Sequence, residues 1–308
     1  MNIYDYILEK IAKNKRITDV LILKYRDSQK ILNLNNDEIA MILFSTQLRD
    51  ESIKKFLKNK KEFNDNPRKF LLRYRMEIDK IRRIFGVNII SFSDKEYPPQ
   101  LKRIKEIPLI LYVKGNLNFN YEKSISIVGT RKATIHAKEK IREIVKNLIK
   151  KDYSIISGLA RGIDTEAHRS AIVFGGKTIA VLPYINDIYP PENKPLAEEI
   201  LKKGGALISE NCFFKNYYHA SLLTQRNRII SGLSKGVFIV EGSKKSGSFS
   251  QYNHAKRQDK IIFSLKPPFP HKGDFLPRLI FAEQKKWINS SEDITKLLEK
   301  EDNQKKLI

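Results

Sequence analysis

"SISIVGTRKATIHAK", residues 124–138, is the stretch whose reading decides the fold. Ile125, Ile127 and Val128 mark a short buried strand, Gly129 turns the chain, and an amphipathic helix begins within a few residues. A strand that turns at a glycine into a helix aims unpartnered backbone N–H groups at an anion. A dinucleotide-binding turn uses three glycines for this purpose. Here there is one, followed by Thr130, Arg131 and Lys132. The question becomes whether such a loop holds the phosphate of a compact cofactor or that of a polymer.

Working outward, short apolar runs recur from Val87 onward: 87–92, 109–113, 124–128, 153–157, 178–182, 206–209, 237–240 and 261–265. From residue 124 on, helical patterns separate them; in 134–150 a single stripe collects Ile141, Ile144, Val145, Leu148 and Ile149. Apolar runs imply strands covered on both faces. Strands alternating with helices imply right-handed crossovers and a mostly parallel sheet. The expected architecture is therefore a doubly wound α/β domain over residues 85–300. Residues 1–84 space their apolar residues three and four apart with almost no strand signal, which predicts a small all-helical domain. A charged tail is expected over 301–308.

The chain has 308 residues, 58 Lys+Arg against 35 Asp+Glu, and a formal net charge of +23. That surplus favours a polyanionic partner. Its single cysteine, Cys212, excludes an internal disulfide and suits a reducing compartment. The opening "MNIYDYILEKIAKNKR" has acidic residues where a signal peptide is basic, and no run of 18 apolar residues occurs. A cytoplasmic protein without a membrane span is expected.

In a doubly wound sheet, the loops leaving the carboxyl ends of the strands share one edge, where ligands bind. Four loops there are rich in donors. "GTRK" (129–132) is the first. "SGLARGID" (157–164) brings Ser157, Gly158, Arg161 and Gly162, with Asp164 placed to cap the next helix. "YINDIYPPEN" (184–193) ends at Asn193, also at a capping position, and "EGSKKSGS" (241–248) carries Lys244, Lys245, Ser246, Gly247 and Ser248. The helix of "TQRNRIISGLS" (224–234) starts at the same edge with Arg226, Asn227 and Arg228. Helix N-termini, hydroxyls and guanidinium groups suit phosphate oxygens.

Absent motifs narrow the reading. Neither "GxGxxG" nor "GxxxxGK[ST]" occurs, which counts against a tight dinucleotide site and a nucleotide triphosphatase. The five histidines form no metal-ligand spacing. His168 reads as a packing residue, and no cofactor or metal is expected.

The motifs "SIVGTRKAT", "SGLARGIDTEAHRSAI", "GGKTIAVLPYINDIYPPEN", "GGALISE", "QRNRIISGLS" and "KSGSFSQYNHA" stand in the order and approximate spacing of the DprA/Smf family of DNA processing proteins, which residues 86–298 resemble. "WINSSEDITKLL" (287–298) is similar to the strand and helix that close that family's sheet. The resemblance implies a Rossmann-like domain that binds single-stranded DNA without catalysis, forms homodimers, protects incoming strands in natural transformation and helps load RecA. Single-strand-binding protein is a further implied partner. It also implies DNA contacts at Gly129, Thr130, Arg131 and Lys132, at Ser157, Gly158, Arg161 and Gly162, at Arg226, Asn227 and Arg228, and at Lys245, Ser246, Gly247 and Ser248. The chain departs from the family before "RNR", where a phenylalanine usually touches a base. Leu223 stands there instead, which leaves Tyr217, Tyr218 or His219 as substitutes for stacking.

Two other readings stay open at this level. Similar sheets occur in lysine-decarboxylase-like enzymes that cleave the base from nucleoside monophosphates, but their "PGGxGTxxE" loop is missing. A nucleotide sensor that signals through the N-terminal helices keeps the same fold.

Overall fold

The computed structural model describes residues 83, 86–91, 94–108, 110–211, 220–268, 270–284 and 287–305. The helical segment expected over 1–84 lies outside the described residues, apart from Arg83. The chain divides into two compact units, Met1–Asp94 and Lys95–Ile308. Strand β1, Asn88–Ser91, belongs to the first. Everything below concerns the second.

Seven strands follow in that unit: β2 (Ile110–Gly115), β3 (Ser124–Val128), β4 (Ser154–Ser157), β5 (Thr178–Val181), β6 (Ala206–Ser209), β7 (Gly236–Ile239) and β8 (Ile261–Phe263). They are hydrogen-bonded in the order β2-β6-β5-β4-β3-β7-β8. All neighbours are parallel except β2 and β6. The expected mostly parallel sheet is present. From β3 the chain steps outward through β4, β5 and β6, then returns to β3's other side with β7, so the order reverses between β3 and β7. That reversal opens a crevice at the carboxyl ends of these two strands.

Helix α1 (Ile135–Lys150) buries Ala137, Ile141, Ile144, Val145 and Leu148, the stripe legible in the sequence, while Ile149 is partly buried beside it. It shares one core with Ile125, Ile127, Ile155 and Phe238 of the sheet, with Ala167 and Ala171 of α2 (Ile163–Val173), and with Ile294 and Leu298 of α8 (Ser291–Lys305). Helix α8 runs past the point where the charged tail is expected to begin.

The alternation within "SISIV" has a physical reason. Side chains alternate across a strand, so the serines face away from α1. There the Ser126 hydroxyl donates to the Ile230 carbonyl at 2.7 Å, and that of Ser124 to the Leu233 carbonyl at 3.0 Å. Both carbonyls belong to the last turn of α5 (Asn227–Leu233), where helix carbonyls lack internal partners. Every residue of α5 is buried, and two serines of the central strand satisfy its end. The sheet is thus covered on both faces. Among the described residues no helix is long and apolar enough to cross a membrane.

Candidate nucleic-acid interface

The crevice between β3 and β7 is bounded by the GTRK loop on one side and residues 241–246 on the other, with residues 157–162 beyond β4. Close backbone contacts join these loops. The Ile163 N–H donates to the Thr130 carbonyl at 3.2 Å, tying the start of α2 to the GTRK loop. Gly162 takes φ +77°, and a Cβ there would meet the Arg131 carbonyl at 2.7 Å.

The helix start that the sequence aims at an anion already holds one. Glu241, buried just past the end of β7, accepts from the Thr134 N–H at 3.1 Å and the Thr134 hydroxyl at 2.6 Å. Thr134 in turn caps α1 by accepting from the Ala137 N–H at 3.1 Å. His271 adds a ring nitrogen 3.2 Å from Glu241. A second internal anion serves the next loop: Asp164 is buried in the first turn of α2 and accepts from the Gly158 and Ala160 N–H groups at 3.2 and 3.4 Å. Asp164 therefore braces the loop before its helix and does not cap the helix, whose N-cap is Gly162 with no side-chain hydrogen bond. Burial pushes the Asp164 carboxyl up to about 6, against the lowering pull of Arg226 and the backbone donors.

In this structure Arg226, Asn227 and Arg228 are buried and bound to the protein itself. The Arg226 guanidinium donates to the carbonyls of Gly158 and Val181, at the ends of β4 and β5. Arg228 donates to the Glu106 and Gln225 carbonyls and pairs with Glu210 at 2.6 Å. Asn227 donates to the Gly247 carbonyl at 3.2 Å. Ser157 is likewise inward, its hydroxyl on the Ile127 carbonyl at 2.6 Å, and Ser248 is buried with its hydroxyl 2.6 Å from that of Ser246. These residues shape the edge from behind.

Arg131, Lys132, Arg161, Lys244 and Lys245 are the exposed cations of these loops. Arg161 is paired with Glu192; among the described residues no ion pair holds the other four. Helix α6 (Gly247–Arg257) begins just after Lys245 without a side-chain cap; its Phe249 N–H donates to the Ser246 carbonyl at 3.0 Å, and no side chain caps the N–H groups of Gly247 and Ser248. One hollow opens here, lined by Arg131, Ala160, Arg161, Tyr189, Pro190, Leu223 and Arg226. It gathers three loops and the two residues on either side of "TQ" into one place. Tyr217, Tyr218 and His219 lie outside the described residues.

Asn193 is another residue with a different task from the one its position implies. It makes no side-chain cap and instead donates to the Leu159 carbonyl and the Thr165 hydroxyl, both at 2.9 Å. Leu159 is buried at φ +56°, a left-handed conformation uncommon for a branched residue. Asn193 thus pins the most strained point of the SGLARG loop. From the sequence Glu241 reads only as one of four edge carboxylates, with Asp164, Glu192 and Glu210, that cap loops or pair with arginines, and Tyr189, a wall of the hollow, is not singled out. A tyrosine inside the Pro-rich turn was the available signal for the latter.

His168 sits below this edge, fully buried. Its Nδ1 lies 2.7 Å from the Thr178 hydroxyl, which itself donates to the Ile155 carbonyl, so Nδ1 carries the proton. Burial, with Arg226 nearby, lowers His168 to about 3. The sign follows directly: the unfolded chain takes up a proton below the ordinary value of 6.5 and the folded chain does not, so stability falls as pH drops through 6.5. Asp164 titrates in the opposite sense, but equally in wild type and variant. His168→Asn keeps the hydrogen bond to Thr178 and removes the titration. The stability gap between the two proteins is expected to narrow by about 2 kcal/mol between pH 6.5 and about pH 5. Urea midpoints measured across that range check this, and a constant gap contradicts it.

Among the described residues, no cluster of His, Cys, Asp or Glu is arranged to hold a metal ion. Comparison with known proteins identifies the family. Residues 88–299 match the family described as DNA recombination-mediator protein A. DNA processing protein DprA of Bacillus subtilis is 33% identical over 288 residues, covering 91% of each chain. The X-ray structure of DNA processing protein A from Streptococcus pneumoniae superposes with a TM-score of 0.66 at 27% identity, over 96% of this chain and 97% of that one. A structure of the Helicobacter pylori DNA processing protein A, described for its single-stranded DNA binding mode, gives 0.59 at 27% identity over 70% and 97%. A Rossmann-like sheet with this strand order, matched over nearly its whole length by sequence and by shape, places the chain in the DNA recombination-mediator protein A family, also known as DprA/Smf.

Proposed function

We propose that this protein binds single-stranded DNA across the carboxyl edge of its sheet and acts as a recombination mediator without catalysing a reaction on the strand. The observation that carries this reading is the pair of internal carboxylates. A compact nucleotide would seat its phosphates on the N–H groups at the start of α1 or in the loop before α2; Glu241 already takes the Thr134 N–H at the N-cap of α1, and Asp164 takes those of Gly158 and Ala160 before α2. What remains for a ligand is a row of exposed side-chain cations and the open start of α6, spread along the edge. Such a row suits a backbone with many phosphates and modest demands on sequence. The same distribution counts against the nucleoside-monophosphate hydrolase and the mononucleotide sensor. DNA binding by the Helicobacter pylori relative supports the choice of ligand. In this reading the protein works in the cytoplasm as a homodimer and passes the strand to RecA, in the presence of single-strand-binding protein.

Fluorescence anisotropy with labelled single- and double-stranded oligonucleotides tests the binding. If the five exposed cations each neutralise one phosphate, the log–log salt slope is about −3.5, and affinity falls about 100-fold between 50 and 200 mM salt. Arg131→Ala is expected to weaken binding to all sequences alike and to reduce the slope by about 0.7. Affinity that does not change with salt rejects the proposal.

A further inference from the structure

The edge carries its own stand-in for a phosphate. Of the five exposed cations on these loops, only Arg161 is ion-paired among the described residues, its Nε donating to a Glu192 carboxylate oxygen. The two side chains are 57% and 50% exposed, so a ligand reaches both. Local structure holds the acid in this place. Glu192 lies in the short turn Pro191–Asn193, next to the asparagine that donates to the Leu159 carbonyl and the Thr165 hydroxyl. The bond to Leu159 fixes the turn against the SGLARG loop two residues before Arg161. Asn193 therefore joins the two segments from the interior, and an exposed ion pair adds little to that. The pair of Arg228 with Glu210 differs, because that arginine is only 5% exposed and faces the protein.

Resting on the single-stranded DNA reading above, we infer that Glu192 competes with a DNA phosphate for Arg161, holding the arginine in the free protein and yielding it to a bound strand. A carboxylate and a phosphate make the same kind of charge-assisted bond to a guanidinium, so one replaces the other. Arg131 lies in the loop bonded to this one and lines the same hollow as Arg161. A strand held at Arg131 brings its next phosphate to Arg161 at high effective concentration. The displaced carboxylate stays in water, so little desolvation opposes the exchange. Glu192 thus lowers the affinity of the edge, and the protein releases a strand more readily than its cations alone would.

The test is anisotropy with the full chain and a labelled thymidine oligonucleotide, across four proteins: wild type, Glu192→Gln, Arg161→Ala and the double variant. Glutamine keeps the size of the side chain and removes its charge. Glu192→Gln is expected to bind about 2- to 5-fold tighter than wild type, with a salt slope steeper by up to about 0.7, because one more cation is free. In the Arg161→Ala background the same change is expected to gain much less and to leave the slope as it was. Urea midpoints of wild type and Glu192→Gln are expected to agree, since the pair is exposed. Unchanged affinity for Glu192→Gln overturns the inference. So does a gain of equal size with and without Arg161, which makes Glu192 only a negative charge near the strand. Weaker binding at an unchanged midpoint also overturns it, since the pair then holds Arg161 where DNA needs it. If wild type binds no strand, or binds without dependence on salt, the single-stranded DNA reading falls, and the competition with it.

Discussion

Arg226→Met is expected to destabilise the protein by about 3 to 5 kcal/mol and to remove most single-stranded DNA binding with it. The guanidinium lies in the interior, where it donates to the Gly158 and Val181 carbonyls beside the buried carboxylate of Asp164. Methionine fills the volume but leaves two strand-end carbonyls without these donors and a buried carboxylate without its neighbouring cation. The cost of breaking such a pair from one side is much larger than its net worth when intact. Arg226→Lys is expected to fall between, because an ammonium on a flexible stem does not reproduce the planar fork that spans two carbonyls. Urea unfolding gives the midpoints. If Arg226 served only as a DNA contact, the midpoint would stay put while affinity fell. Two further outcomes follow from Asp164. Adding Asp164→Asn to Arg226→Met is expected to recover part of the loss, since it removes the charge left behind. Acid acts in the same direction: without the lowering pull of Arg226 the Asp164 carboxyl lies above the value of about 6 it has in wild type, so the folded variant takes up this proton first, and the penalty of Arg226→Met shrinks as pH falls toward 6.

That arginine shows where a sequence stops speaking. The strands are legible because a strand covered on both faces must be apolar. The runs 124–128 and 206–209 match β3 and β6 end to end. At 261–265 the ladder ends earlier, at Phe263, because the Ser264 hydroxyl turns to the Ile239 carbonyl and Leu265 pairs instead with Ile288. Periodicity also places the loops at one edge. It does not say which way a polar side chain at that edge points, because this depends on which carbonyls and N–H groups the ends of other strands leave unpaired. Asn193, Arg226 and Glu241 each answer such a group on a distant segment, and Asp164 answers two in the loop just before it. One signal for Arg226 was available. "RNRIISGL" is a short helix of Ile, Leu, Ser and Gly with no polar face to spare, and a helix buried all round turns its arginines inward.

Gly162→Ala is expected to be as damaging to DNA binding as any single change at an exposed cation, although it removes no charge. Two effects coincide. Gly162 sits at φ +77° and ψ −119°, a conformation that L side chains rarely adopt. Its Cβ would also press on the backbone of Thr130 and Arg131, 2.7 Å from the Arg131 carbonyl. Backbone atoms of a loop cannot rotate away as the end of a side chain can, so the GTRK and SGLARG loops must part. The combined cost is about 3 kcal/mol. Gly204→Ala separates the two effects. Gly204 has the same φ of +77° but nothing within 4 Å of a Cβ, so only the strain applies, at roughly 1 kcal/mol. Both variants are expected to lose stability in urea, Gly162→Ala more, and only Gly162→Ala is expected to lose affinity under conditions where each is fully folded. The Ile163 to Thr130 hydrogen bond, made across this contact, ties together the loops that carry Arg131 and Arg161, and so fixes their spacing along the proposed path of the DNA. If a fully folded Gly162→Ala binds single strands as wild type does, the spacing of the two arginines is not what the edge reads, and the cations act as independent charges.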